Sequence, residues 1–281
     1  MFDAFQSTRW KAFSLFGFFG VIFFEIMGDT VEYPLITVIT VVLEAKINLE
    51  KTILSVAEQD YNNIEYLVID GGSKDGSVDV IRKYSSVVSK WLSEKDDGIY
   101  TAMNKGAGMA SGEWVCFLNA GDVFVNSGTI RSVAEAIRLL PVQPDIVYGN
   151  ILVQNTNGGF VERIAQSPRN SHRMNFCHQS AFVQLTLLRQ FPFDEHFRLS
   201  SDLKFFKQCR KDNKQFVKLD LPIVIYDTSG LSNIERERGL RENISVVKEM
   251  DRGWEKCKFL LRLYFVIYWR RLFSKHKSRQ K

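Results

Sequence analysis

Between Leu35 and Tyr148 the chain alternates β-branched apolar runs with stretches of helical periodicity, and that alternation leaves few folds open. LITVITVV (Leu35 to Val42) is a continuous run of the kind buried inside a sheet. From Leu49 to Gln59, Leu49, Ile53, Val56 and Ala57 then recur at helical spacing. YLVID (Tyr66 to Asp70) reads as a second strand closed by the turn GGSKDGS, and Val78 to Tyr84 as a second helix. Trp114 to Leu118, Ser127 to Leu140 and Asp145 to Tyr148 continue the pattern as strand, helix and strand. Strands separated by helices demand crossover connections, hence an α/β fold with a mostly parallel, Rossmann-like central sheet flanked by helices. In such sheets ligands bind outside the carboxyl ends of the strands, so the residues just after each strand are the candidates for chemistry.

Length fits one large domain with extensions: 281 residues against roughly 150 per domain. Residues 35–250 are read as that domain, in two halves, 35–125 and 126–250; a helix is expected from about Ser200 to Lys211. The formal charge of +5 is unevenly placed. Residues 256 to 281 hold nine lysines and arginines and no acid, which leaves −4 on the remainder. A nucleic-acid binder would spread its basic footprint over a folded face, so no nucleic acid is expected as a partner. Residues 251–281 carry FLLRLYFVIYW (Phe259 to Trp269), roughly 16 Å long as a helix and too short to cross a bilayer, followed by a basic run. Tyr264, Tyr268 and Trp269 suit the headgroup level of a membrane whose anionic phosphates meet the basic tail. The other reading is a helix docked on the domain. At the opposite end, residues 1–34 include the apolar stretch Ala12 to Phe24, about 20 Å as a helix. It reads as an anchor, as a signal peptide, or as an upstream extension if Met27 is the true start. Cys116, Cys177, Cys209 and Cys257 form no CxxC pair and are expected to be ordinary buried thiols in a reducing cytosol.

The first strand-to-helix turn, LEAKIN (Leu43 to Asn48), has no glycine, so neither GxGxxG nor a P-loop stands where a dinucleotide site or a Walker site needs it. A nucleotidyltransferase would want a glycine-rich basic loop at the same place, and Lys46 is all that LEAKIN offers. Asp70 instead ends the second strand with Gly71, Gly72 and Gly76 behind it, a position that suits either a ribose or base contact or a turn-forming aspartate. WVCFL stops abruptly at Asn119, Gly121 and Asp122, which puts oxygen ligands at a strand end, as a hard divalent cation requires. By itself NAGD also reads as an ordinary turn.

Taken in order, ITVV, LEKTILSVAEQDYNNIEYLVIDGGSKDGS, SEKDDGIYTAMNKG and FLNAGD resemble the family 2 glycosyltransferases of GT-A fold, in particular the bacterial enzymes of exopolysaccharide, O-antigen or colanic-acid-type assembly. The likeness is dense from Leu35 to Asp122 and fainter to Cys209. It implies that Thr40, Val42 and Asp70 hold base and ribose, that Asp96 is a further nucleotide contact, and that Asn104 and Lys105 lie beside the sugar diphosphate. The metal motif of the family is usually rich in acids; here Asn119, Ala120 and Gly121 line the nucleotide-sugar, and Asp122 is left as the ligand of Mn²⁺ or Mg²⁺. FDEHFRLSSDLKFFKQC (Phe193 to Cys209) matches the stretch that carries the family's catalytic base, with Asp202 at its place and Glu195 in reserve. His178 and Gln179 of CHQSAF fall on the acceptor and diphosphate side. The resemblance thus implies an inverting, metal-dependent hexosyltransferase. It would move a sugar from a nucleotide-diphosphate donor, with UDP the first guess for the nucleotide, to a glycan carried on a lipid. Such an enzyme would work in cell-surface polysaccharide biosynthesis, in the cytoplasm at the inner face of the plasma membrane. A catalytically weak nucleotide-sugar-binding subunit is the competing reading, motivated by the missing acids at Asn119 and Gly121.

Overall fold

The computed structural model describes residues 33 to 277. The apolar run Ala12 to Phe24 and Met27 lie outside the described residues, as do Arg279 and Lys281 of the tail.

Strand β1 (Ile36–Val42) is buried along its whole length. Helix α1 (Lys46–Ala57) returns the chain to β2 (Ile64–Asp70), which pairs parallel to β1 with Val42 opposite Asp70. Helix α2 (Ser77–Lys83) leads to β3 (Lys90–Ser93), parallel to β2 with Ser93 opposite Asp70. Helix α3 (Ile99–Met109) precedes β4 (Trp114–Phe117), parallel to β1 on its other side with Phe117 opposite Ile39. Continuing that register sets Asn119 and Ala120 beside Val41 and Val42, so Val42, Asp70, Ser93 and the NAGD turn finish along one edge of the sheet.

Period-two alternation divides the core between the two faces. Ile36, Val38 and Val42 pack with Leu49 and Ile53 of α1, Ile81 of α2, and Ile130 and Val133 of α4 (Thr129–Leu139). Ile39 and Val41 pack with Met103 and Ala107 of α3 and, beyond them, with α5 (Leu185–Gln190) and α6 (Ser201–Lys211). Helix α3 has no counterpart in the sequence reading, because glycines at 106 and 108 lower helix propensity. Gly106 is there for packing: a Cβ on it would stand 2.6 Å from Ile39 Cγ2, so its absence lets α3 lie close against β1.

After α4 the sheet becomes mixed. The full order is β3-β2-β1-β4-β8-β6-β9-β5, with β7 (Phe160–Arg163) paired to β6. Strands β3, β2, β1, β4, β6 (Ile146–Gln154) and β9 (Phe216–Tyr226) run one way; β5 (Val123–Phe124), β7 and β8 (Ala181–Gln184) run against them. The sheet is mostly parallel, as expected, but β8 enters antiparallel between β4 and β6. Strand β6 also extends past Tyr148, where the sequence pattern fades. Gly149 and Asn150 fall at a register shift against β9, and a Cβ on Gly149 would lie 2.6 Å from the Leu221 carbonyl.

The chain closes with α7 (Leu231–Ile234), α8 (Arg236–Met250) and α9 (Gly253–Lys277). Phe259, Leu263 and Ile267, one face of α9, pack on Ile244 and Val247 of α8, so the helix docks on the domain. Its other faces stay apolar and open: Trp254 is 78% exposed, Leu261 67% and Phe265 61%. Among the described residues no helix is long and apolar enough to cross a membrane. Where α8 turns into α9, Asp251 receives the buried ammonium of Lys207 from α6 at 2.8 Å. The cysteines are free, as expected, but Cys257 is exposed on α9, whereas Cys116 and Cys209 are buried.

Candidate active site

The carboxyl edge carries two groups of polar side chains. Asp70 is fully buried at the end of β2. Its carboxylate accepts from the Gly72 and Ser73 N–H groups at 3.2 and 3.1 Å and from the Ser93 hydroxyl at 2.6 Å. It therefore shapes the GGS loop, the turn-forming role, while standing where a nucleotide would arrive. Asp96 follows β3 and comes close because Gly71 is bare: a Cβ there would sit 2.8 Å from Asp96 Oδ2. Burial raises the Asp96 carboxyl above its ordinary value and the charge of Asp70 adds to this, partly offset by the Gly98 N–H and Lys105. Lys105 is paired with Glu94 at 2.7 Å.

Thr40 and Val42 sit differently from the expectation of nucleotide contact. The Thr40 hydroxyl donates to the Leu118 carbonyl at 2.8 Å and meets the Tyr66 hydroxyl at 3.0 Å inside the sheet. Val42 is buried among the α1 contacts, and its carbonyl accepts from Gly71 N–H. Both brace the edge from within; neither presents its side chain to the cleft.

The second group gathers at the end of β4, about 10 Å from the first, since β2 and β4 are two strand spacings apart. The NAGD turn is pinned by Thr52, whose hydroxyl receives the Gly121 N–H at 2.9 Å and donates to the Asp122 carbonyl at 2.8 Å. Gly121 has φ +108°, and a Cβ on it would meet Asp227 Oδ2 at 2.5 Å. Ala120 packs against the core. Asp122 is 3% exposed. Burial pushes its carboxyl up to about 7, with the negative charge of Asp227 adding to the rise. The Asp227 N–H at 2.8 Å, His178 and a hydrogen bond from Gln179 act in the opposite direction.

The donor set fits a hard cation held jointly with a ligand. Asn119 Oδ1 is buried and has no partner, Asp122 lies beside it in the turn, and Asp227 closes the other side of Gly121. Among the described residues no three His, Cys, Asp or Glu form a ready metal cage, so substrate phosphates and water would have to complete the coordination.

Next to this turn lies Asp202, in the first turn of α6. Its Oδ2 is 3.0 Å from His178 Nδ1, and its Oδ1 accepts from the Tyr100 hydroxyl at 3.0 Å and the Leu203 N–H at 2.8 Å. The far ring nitrogen of His178 lies 3.4 Å from the Asn119 amide nitrogen; a ring donating from Nδ1–H to Asp202 would accept there. Burial and the neighbouring Asp202 hold the Tyr100 phenol well above its ordinary value, so it remains a donor. Asn104 is turned away from this chemistry: its amide bonds the Phe193 N–H and carbonyl and Glu195 Oε1, at 2.9, 2.8 and 2.8 Å, latching α3 to the segment before α6. Glu195, also held by Thr101 at 2.9 Å, belongs to that latch.

Tyr100 and Asp227 are the residues that sequence reasoning missed. Asp227 directly follows β9 where Asp70 closes β2, and the strand-end rule would have found it had the interrupted strand FVKLDLPIVIY been recognised. Tyr100 gives no local signal; only the packing of α3 against α6 brings it to Asp202.

A protein-family model described as glycosyl transferase family 2 matches residues 37–199. A PGL/p-HBAD biosynthesis glycosyltransferase of Mycobacterium tuberculosis is 28% identical over 258 residues, covering 85% of this chain and 98% of its own. Among solved structures, S. aureus TarS 1-349 in complex with UDP-GlcNAc superposes with a TM-score of 0.60 at 17% identity, covering 82% of this chain and 71% of that one. The mannosyltransferase PcManGT from Pyrobaculum calidifontis, in complex with GDP-Man and Mn²⁺, superposes with a TM-score of 0.62 at 16% identity, covering 83% and 70%. These last two likenesses concern the fold, which is of the GT-A type.

Proposed function

The chain belongs to glycosyl transferase family 2, and on that premise we propose that it is an inverting hexosyltransferase whose donor is a nucleotide-diphosphate sugar, UDP-linked in the first instance. The observation that carries this reading is the pairing of the Asp202–His178 contact with the unpartnered Asn119 oxygen and the Asp122 carboxylate at one strand edge. The Asp70 and Asp96 group lies a nucleoside's length away along the same edge. The likeness to structures holding UDP-GlcNAc and GDP-Man supports a donor of this class.

In the proposed reaction the base and ribose lie by the GGS loop and Asp96, and the diphosphate lies over the NAGD turn beside Lys105. Asp202 takes the proton of the acceptor hydroxyl as that oxygen attacks the anomeric carbon from the side opposite the departing diphosphate. The C–O bond to the acceptor forms as the C–O bond to the diphosphate breaks, which inverts the carbon. His178 and Tyr100 orient the carboxylate, one on each oxygen. Mn²⁺ or Mg²⁺ bound through Asn119, Asp122 and Asp227 would supply positive charge to the leaving diphosphate.

The acceptor is a lipid-linked glycan at the inner face of the plasma membrane, in the synthesis of a cell-surface glycoconjugate of exopolysaccharide or O-antigen type. The support is α9: one face is docked, the exposed faces are aromatic and aliphatic, and Arg262 and Arg270 stand among them. The test is donor turnover in the presence of Mn²⁺ across a panel of nucleotide sugars. A saturable nucleotide site with no transfer and no donor hydrolysis would replace this reading with that of a binding subunit.

A further inference from the structure

Away from the strand edge, a shallow, solvent-open pocket lies between residues 168–176 and α6. Leu203, Phe206, Lys207 and Arg210 line it at i, i+3, i+4 and i+7, so a single face of α6 forms one wall. Arg169 and Arg173 rise from the other side, and no acidic residue lines the pocket.

The charge here is uncompensated. Lys207 is neutralised by Asp251 at 2.8 Å. Arg169 has only the Gln166 amide oxygen at 3.3 Å, and no carboxylate pairs with Arg169, Arg173 or Arg210 among the described residues. Three exposed arginines elsewhere, Arg131, Arg238 and Arg241, are paired with Asp60, Glu242 and Glu237, whereas here three guanidinium groups with no carboxylate partner among the described residues share one pocket. Towards α9 the charges are mixed: Asp251 and Glu255 both accept from the Asn170 amide, at 2.9 and 2.7 Å. Burial and the charges of Arg173, Arg262 and Lys207 together push His172 below its ordinary value, and its buried Nδ1 has no partner. Beneath the arginines the wall is Met174, Leu203 and Phe206.

Cations over an apolar wall match an amphiphile with an anionic head, and guanidinium forks match phosphate oxygens. The pocket also adjoins the apolar helix: the Phe259 ring of α9 lies 5.3 Å from Lys207 Nζ and 5.6 Å from the His172 ring. Arg210 is about 12 Å along α6 from Asp202, the reach of a diphosphate and one sugar ring. We propose that Arg169, Arg173 and Arg210 bind the phosphate of the lipid-linked acceptor, with Met174, Leu203 and Phe206 taking the first carbons of the lipid, so that the acceptor sugar is delivered to Asp202. This rests on the reading of the chain as a transferase with a lipid-linked acceptor.

The test uses the full chain and farnesyl diphosphate as probe, titrated with the donor site filled by UDP, against farnesol and inorganic pyrophosphate. Farnesyl diphosphate is expected to bind at least tenfold more tightly than either. The double variant Arg173→Glu/Arg210→Glu is expected to lose at least tenfold in farnesyl diphosphate affinity, with UDP affinity and donor hydrolysis unchanged, and Arg173→Lys/Arg210→Lys to recover part of the loss. Equal binding by wild type and the Glu variant overturns the site. Equal binding of pyrophosphate reduces it to a free-phosphate site and overturns the lipid assignment. Because the readout is binding, a protein that turns over no nucleotide sugar refutes the enzymatic reading without deciding the pocket.

Discussion

The Nδ1 atom of His178 lies 3.0 Å from Oδ2 of Asp202, and the two side chains are only 17% and 13% exposed. A carboxylate held this way, with Tyr100 on its other oxygen, has its direction set before an acceptor arrives. Asp202→Asn is expected to lower turnover by about 10²-fold or more while nucleotide affinity stays within about twofold. His178→Ala is expected to cost about tenfold or more in kcat and to change the pH–rate profile, because a positioning partner is lost and the base remains. Steady-state kinetics beside nucleotide titration check both, and near-normal turnover in Asp202→Asn would remove that residue from the mechanism.

With one carboxylate in the NAGD turn and no preformed cage among the described residues, the cation is expected to enter with the nucleotide. Calorimetric titration of Mn²⁺ should show weak or no uptake by the protein alone and saturable uptake once a nucleoside diphosphate is present. Asp122→Asn should abolish the second signal. Tight uptake without nucleotide would contradict the proposed sharing of ligands.

Two glycines separate binding from stability. At Gly71 an added Cβ would meet the tip of the Asp96 side chain at 2.8 Å, which can swing away. Gly71→Ala is therefore expected to weaken nucleotide binding by about tenfold, the scale of one charged hydrogen bond, with little change in Tm. At Gly106 the added Cβ would meet Ile39 Cγ2 at 2.6 Å in the core. Gly106→Ala is expected to cost about 1–3 kcal/mol through overpacking between α3 and β1. Thermal unfolding and nucleotide titration of both variants distinguish the two effects.

Glu65 predicts an acid-side loss of stability. Burial pushes its carboxyl up, but hydrogen bonds from Lys90, Ser111 and Thr37, all 2.7 Å, outweigh burial and hold it at about 2, against an ordinary 4.5. The folded value is the lower one, so this contribution is complete above about pH 4.5 and disappears as pH falls towards 2. It amounts to a few kcal/mol. Urea unfolding between pH 6 and 3 should show the gap between wild type and Glu65→Gln narrowing steadily towards acid; a gap independent of pH would refute the linkage.

The half of the fold that is legible in sequence is the half whose strands are continuous β-branched runs. For β1, β2 and β4 the strand-end rule led directly to Asp70 and Asp122. Thr40, named through the motif likeness, lies within a buried strand, where its hydroxyl is satisfied by Leu118 and Tyr66. The second half of β6 and all of β9 hide behind Gly149 and Pro222 at their shared register shift, so Asp227 went unseen. Asp202 was reached through the motif likeness, but its contacts with Tyr100 and His178 join α3, the segment before β8 and α6. No local pattern encodes a meeting of three elements so far apart in the chain.

Lys207 and Asp202 ride on the same short helix, and Lys207 grips Asp251 at the point where the last helix departs. Asp202, the proposed base, and the apolar tail are therefore joined through one buried ion pair. On the proposed reading, whatever surface the tail settles on would set the height at which glycosidic bonds are made, and only acceptors whose attacking hydroxyl hangs at that depth would come within reach.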